Sequence, residues 1–277
     1  MLDQRRTALS SYTTRLLSEG RIVFSREEAQ RVLAINSGAL LDAAERLQRR
    51  KALISPRRGF YVIVPPQFLA WGAPPPSWYI DDLMRHEGRP YYVGLLKAAE
   101  LHGASHQAAM EFQVVTDKRL PKIRAGRSAI AFYYRKDITA ITAAIEERKT
   151  DTGHMKISSL ELTMFDLLRY PHGGGGLSNV VTVLSELGAR VDPNKLAPLV
   201  PAFERSVVQR LGHLLGRLGH RESEGALHEA LLRQQRTSFP WVELEPSQAG
   251  DPDFESVPTA RDERWHVIVR QPPEPDE

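Results

Sequence analysis

"ERLQRRKALISPRRGFYVI", Glu45 to Ile63, opens on the end of an amphipathic helix, passes the consecutive cations Arg49, Arg50 and Lys51, and continues into two short apolar runs joined by "SPRRG". The runs "ALIS" and "FYVIV" are β-type, and a connection that starts on Pro56 and finishes on Gly59 is hairpin chemistry. Upstream, Leu9, Tyr12, Leu16 and Leu17 fall at helical spacing between Gln4 and Glu19, and Gly20 stops that helix. Ser25 followed three residues later by Glu28 is a capping box that starts a second helix, ending near Ile35. "NSG" then supplies a turn and a new N-cap, and Leu40, Leu41, Ala44 and Leu47 share one face of a third helix reaching about Arg50. Two helices joined by so short a turn form a helix-turn-helix, and three helices followed by a hairpin predict an N-terminal winged helix.

The charge distribution says what such an element would face. Through Val62 the chain carries twelve cations against six acids, a surplus of six in a protein whose formal net charge is +3. A recognition helix fits the major groove, about 12 Å wide, and a hairpin beside it carries its tip to the neighbouring backbone, so both basic tips converge on phosphate. Affinity gained by releasing counterions then falls steeply with salt. Asn36, Ser37 and Asp42, near the start of the third helix, are candidates for base edges, with Arg46 suited to a bidentate contact with guanine. Asp42 has an alternative use, pairing with Arg46 along the helix. Arg49, Arg50, Lys51, Arg57 and Arg58 are the candidate phosphate clamps, and Arg26 joins the DNA-binding set. The competing reading is a solvated helix end favoured by the helix dipole, in a winged helix that binds protein.

At 277 residues the chain is long enough for two domains. Its composition, 42% hydrophobic and 26% charged, is that of ordinary globular protein. No apolar run approaches the roughly 18 residues that span a bilayer, and the N-terminus does not read as a signal peptide. With no cysteine there is no disulfide framework, thiolate nucleophile or Cys-ligated metal. A soluble, cytoplasmic protein is expected.

The proline-dense stretch "PPQFLAWGAPPPSW" predicts a semi-rigid connector. The expected organisation is therefore α+β: a winged helix-turn-helix over 1–65, a linker over 66–79, a mixed α/β, helix-rich C-terminal domain over 80–240, and an acidic tail over 241–277 with one strand in "RWHVIVR". Within the second domain "YYVGLLKAAELHGA" has a helical pattern, "EFQVVTD" and "AIAFYYR" read as strands, and the chain from Ser158 is helical. Lys118, Arg119, Lys122, Arg124 and Arg127 sit in a basic turn region between those strands. They are either a second basic surface or solubilising charge at turns.

No catalytic constellation emerges. "HGGGG", His172 to Gly176, has the glycine content of an esterase oxyanion loop, but no G-x-S-x-G elbow accompanies it and no Lys-Ser or Lys-Thr follows it. It reads as a flexible turn between helices. His102 and His106 have helical metal spacing, yet Gly103 intervenes and no H-E-x-x-H frame exists. Asp81-Asp82 and Glu146-Glu147 are adjacent pairs that diverge on a helix. Neither a metal nor a cofactor is expected, and the chain reads as no enzyme.

Taken together, the front end, "YYVGLLKAAELHGASHQ", "FQVVTDKRLPKIRAGR", "IAFYYRKDI" and "SLELTMFDLLRYPHGGGGLSNVVTVLSEL" resemble the AbiEi family of bacterial antitoxins, over about residues 5–235. The resemblance implies a winged-helix DNA-binding repressor, acting on inverted repeats of its own operon within an abortive-infection, type IV toxin–antitoxin system of phage defence. It implies a C-terminal domain that counters a nucleotidyltransferase-like toxin, with or without a stable complex. Ser37 to Arg50 and Arg57–Arg58 match the family's DNA-binding element. A nucleic-acid-directed enzyme with a winged-helix targeting domain, and a stand-alone transcription regulator, are the alternatives.

Overall fold

The computed structural model describes residues 2–104, 109–234, 240–245, 260–271 and 273. The front end runs α1 (Leu2–Ser18), β1 (Val23–Ser25), α2 (Arg26–Leu33), α3 (Ser37–Arg49), β2 (Leu53–Arg57) and β3 (Phe60–Ile63). This is the expected order of three helices and a hairpin, with β1 added: β3 lies between β1 and β2 and is antiparallel to both. Three residues are too few for period-two alternation to show, which is why β1 is silent in the sequence. The capping box forms as expected, with Ser25 Oγ accepting from the Glu28 amide at 3.1 Å. One apolar cluster holds the front end together: Leu9, Tyr12 and Leu16 of α1, Phe24, Leu40 and Ala44, and Leu53, Tyr61 and Ile63 of the hairpin. Phe24 stacks on Tyr61 with centroids 5.2 Å apart and meets Tyr12 edge-on at 5.6 Å.

The chain then passes through α4 (Ile80–Glu87), β4 (Tyr91–Val93), α5 (Leu95–Leu101), β5 (Phe112–Thr116), β6 (Ile123–Ala125), β7 (Ser128–Tyr134), β8 (Ile145–Thr150) and β9 (Gly153–Ser158). A six-stranded sheet has the order β6-β7-β5-β4-β9-β8, with β5 parallel and β6 antiparallel to β7. Part of "YYVGLLKAAELHGA" therefore departs from its helical pattern. Tyr91, Tyr92 and Val93 are β-prone and fully buried as a strand, and extended Gly94 separates them from α5.

The remaining elements are α6 (Leu160–Arg169), α7 (Leu177–Gly188), α8 (Pro193–Leu196), α9 (Arg205–Arg217), α10 (Arg221–Gln234), β10 (Val242–Glu243), β11 (Ala260–Asp262) and β12 (Val267–Val269). The strand expected in "RWHVIVR" is β12, which sits between β10 and β11. Trp265 beside it is buried, donates Nε1 to Glu224 Oε1 at 3.0 Å, and rests on α9 where Gly212 leaves room. A Cβ at Gly212 would stand 2.2 Å from the indole ring. Most of the expected acidic tail, 246–259, 272 and 274–277, lies outside the described residues.

The chain forms two compact units that interleave along the sequence. The first comprises Met1–Tyr92, Met110–Lys136 and Glu147–Lys156; the second comprises Val93–Ala109, Asp137–Glu146 and Ile157–Glu277. The stretch expected as a linker, 66–79, lies wholly inside the first unit. Its prolines build two short 3-10 turns, Pro66–Phe68 and Pro76–Trp78. Phe68 packs edge-on to Trp78 at 5.0 Å, and Trp78 Nε1 donates to Asp151 Oδ2 at 2.8 Å. The Arg127 amide donates to the Trp71 carbonyl at 3.0 Å. Composition alone could not separate an extended spacer from a chain laid against a strand turn.

Candidate nucleic-acid interface

A groove of about 410 Å³ runs between α3 and the hairpin, bordered by Arg26, Asp42, Glu45, Gln48, Ser55 and Arg58. Three elements meet there because the hairpin turn is pinned from both sides. The Arg26 amide donates to the Gly59 carbonyl at 2.8 Å, and His86 Nε2 of α4 lies 3.1 Å from the Arg58 carbonyl oxygen. Gly59 has φ +79°, the left-handed conformation that closes the turn without strain. Ser55 Oγ lies 3.0 Å from the carbonyl oxygens of both Arg57 and Phe60. Arg58 is exposed, and among the described residues its side chain has no partner. Arg26 is more telling: its Nε is buried and has no hydrogen-bond acceptor. A buried guanidinium N–H without an acceptor costs free energy, and the Arg26 charge at the groove is one that a phosphate would compensate.

The candidate side chains divide by use. On α3, Ser37, Asp42, Arg46 and Arg49 are exposed, as are Arg50 and Lys51 just beyond it. Arg49 forms an exposed ion pair with Glu45 at 2.6 Å, worth little in solvent and readily exchanged for phosphate. The Asp42–Arg46 pair is not formed among the described residues, so Asp42 borders the groove as an uncompensated carboxylate. Next to phosphate that charge is unfavourable; against an exocyclic base amine it is an acceptor. Asn36 serves as the N-cap of α3, its Oδ1 accepting from the Ala39 amide at 2.9 Å. That hydrogen bond gives the side-chain oxygen of this base-edge candidate a capping role. Leu41, expected on the buried face, is 43% exposed and borders the groove, while Leu40 is buried.

Arg57 corrects the expectation of two free arginines at the hairpin tip. Its Nε lies 3.1 Å from Glu87 Oε1, with both side chains 18% exposed. Its Nη2 donates to the Pro121 carbonyl at 2.7 Å, and its guanidinium lies 5.5 Å from the centre of the Phe132 ring. The cause is local: pairing of β2 with β3 shifts register between Ile54 and Arg57, a bulge at Ser55-Pro56 that redirects Arg57. Its partners are 30 and 64 residues away in sequence, so no local signal marked the pair.

The second basic block is likewise mixed. Lys122 pairs with Glu111, and Arg119 lies 5.2 Å from the centre of the Tyr134 ring. Lys118, Arg124 and Arg127 are exposed. Arg124 borders a second groove of about 380 Å³ together with Gln48, Ser55 and Pro56. Gln48 and Ser55 thus stand on both grooves.

The glycine run His172 to Gly176 is a structured turn into α7. Asn179 Nδ2 donates to the Gly174 carbonyl at 2.8 Å, and a Cβ at Gly174 would meet Val180 Cγ2 at 2.7 Å. His102 caps α5, its Nε2 lying 2.7 Å from the Ser158 carbonyl oxygen, and His106 is outside the described residues. Among the described residues no group of three or more His, Asp or Glu is placed to hold a metal ion. No helix among them is long and apolar enough to cross a membrane.

Residues 92–217 match the family model of the AbiEi antitoxin C-terminal domain. The fold is similar to that in the crystal structure of the Rv2827c protein from Mycobacterium tuberculosis, with a TM-score of 0.67 and 18% identity over 95% of this chain and 91% of that one. No curated protein matches the chain. The family resemblance carried by the sequence motifs is thus borne out over residues 92–217, and the mixed α/β architecture by the shared fold.

Proposed function

We propose, from the match of residues 92–217 to the AbiEi antitoxin C-terminal domain, that this chain is a DNA-binding transcriptional repressor and antitoxin. It binds inverted repeats in its own operator and counters a nucleotidyltransferase-like toxin of a type IV system. The observation that carries the DNA half is the groove in which Arg26, with its buried and unpartnered Nε, and Arg58 stand beside the exposed face of α3. In this reading α3 enters the major groove and Arg26 and Arg58 take phosphates. Arg46, Arg49, Arg50 and Lys51 extend the contact, and Asp42 and Leu41 meet base edges: an amine for the carboxylate, a thymine methyl for the leucine. The domain match supports the antitoxin half.

Fluorescence anisotropy with duplexes from the chain's own upstream region, titrated across salt concentration, tests the reading. Binding whose logarithm falls linearly with the logarithm of salt concentration is expected, and Arg58→Ala reduces that slope by about one. Arg57→Ala leaves the slope intact and instead lowers stability by about 1–3 kcal/mol, because Glu87 is left without its partner. Failure to bind any upstream fragment at low salt sinks the repressor assignment. Co-expression with the adjacent reading frame tests the antitoxin assignment separately, through rescue of growth.

A further inference from the structure

The second unit contains a cavity of about 820 Å³ between the end of α6, the glycine turn into α7, α9 and the segment after β10. That volume falls within the range of small-molecule sites, about 300–1,000 Å³. Leu167, Leu168, Val180, Val207 and Leu244 make its walls aliphatic. Two arginines, Arg169 and Arg210, also line it, as do the carboxylates of Glu204 and Glu245. Arg169 is compensated by Glu204 at 2.8 Å. Arg210 is not: its Nε donates to the Glu243 carbonyl oxygen at 2.8 Å, and no carboxylate among the described residues lies within ion-pair distance of it. The Glu243 carboxylate is taken by Arg270, 2.8 Å away.

Burial disfavours the charged form of Arg210 and pushes its pKa down, with nothing opposing. A half-buried guanidinium held by one carbonyl, at the wall of an apolar cavity, lacks the anion that ordinarily accompanies such a charge. We propose that this cavity binds an organic anion, its apolar body against the aliphatic walls and its carboxylate or phosphate on Arg210. The site shares no lining residue with the α3 groove and goes beyond the repressor and antitoxin reading.

The test is isothermal titration of the full chain with four probes sharing one twelve-carbon chain, below their micellar concentrations: dodecanoate, dodecyl phosphate, dodecanol and dodecyltrimethylammonium. One of the two anions is expected to bind saturably at one per chain, at least about tenfold more tightly than the alcohol or the cation, and the tighter one identifies the headgroup. Arg210→Gln is expected to erase that preference, and Ser206→Trp, which fills the cavity from its rim, to abolish binding while Arg210 is intact. Equal binding of anion, alcohol and cation by the unaltered protein overturns the proposal without recourse to a variant. So does no saturable binding of either anion, or a headgroup preference that survives in a folded Arg210→Gln protein.

Discussion

Arg57 and Arg58 are neighbours with opposite employment, and the difference lies in one bulge. Pro56 has no amide to give the β2 ladder, the strand slips there, and successive side chains no longer alternate as in a regular strand. Arg57 turns to Glu87 and Pro121, and Arg58 is left at the groove. Gly126 is a second residue whose identity is dictated at a distance. It has φ +57°, and a Cβ there would stand 2.2 Å from the Trp71 carbonyl oxygen and 2.7 Å from the Gly72 carbonyl carbon. Both obstacles are backbone and cannot rotate aside. Gly126→Ala is therefore expected to cost more than about 2 kcal/mol in urea denaturation, combining a left-handed alanine with a forced shift of the proline-dense stretch. An unchanged midpoint would refute the contact.

Among elements, α1, the turn that precedes β1, and α2 are tied by a single carboxylate. Glu28 Oε1 accepts from Tyr12 Oη at 3.0 Å and from Arg21 Nη2 at 2.8 Å. Burial, and then the hydrogen bond to Glu28, push the Tyr12 phenol up to about 12. For Glu28, burial works toward a higher value, but the hydrogen bonds from Arg21 and Tyr12 outweigh it and hold the carboxyl below the usual range. The signs then follow. A carboxyl lower in the folded than in the unfolded chain contributes stability that is full above its unfolded value, about 4.3, and is lost as pH falls through the folded value. A phenol higher in the folded chain contributes below about 10 and is lost as pH rises toward 12. Glu28→Gln is expected to cost about 1 kcal/mol at pH 7 and to flatten both flanks of the stability–pH curve, read by thermal melts from pH 3 to pH 11. The wild-type slope persisting on the acid side would mean that other carboxylates carry it. The capping half of this arrangement was legible from Ser25 and Glu28 alone. The Tyr12 hydrogen bond was not, since an aromatic at helical spacing marks a core position without saying where its hydroxyl ends.

At the scale of the molecule, segments far apart in the chain pack on one another within a unit. Strand β2 packs on β6, and Arg57 reaches Pro121, within the first unit. Native-state hydrogen exchange is expected to give the amides of β2 and of β6–β7 one common opening free energy, which Arg57→Ala lowers for both segments together. Independent opening of the hairpin would show that these contacts do not couple it to the sheet. The sequence by itself determined the helix–helix–hairpin order of the front end, its caps, its surplus of positive charge, and the motif order that resembles the antitoxin family. Those are properties of neighbours, set by periodicity, capping chemistry and turn residues within about ten positions. Only the tertiary structure decided which cations are free, that the proline-dense stretch is packed rather than a spacer, and that Arg210 faces a cavity without a counter-charge. Each of those outcomes depends on a partner tens of residues away, and burial and ion pairing are settled by whichever groups the fold brings within a few ångströms.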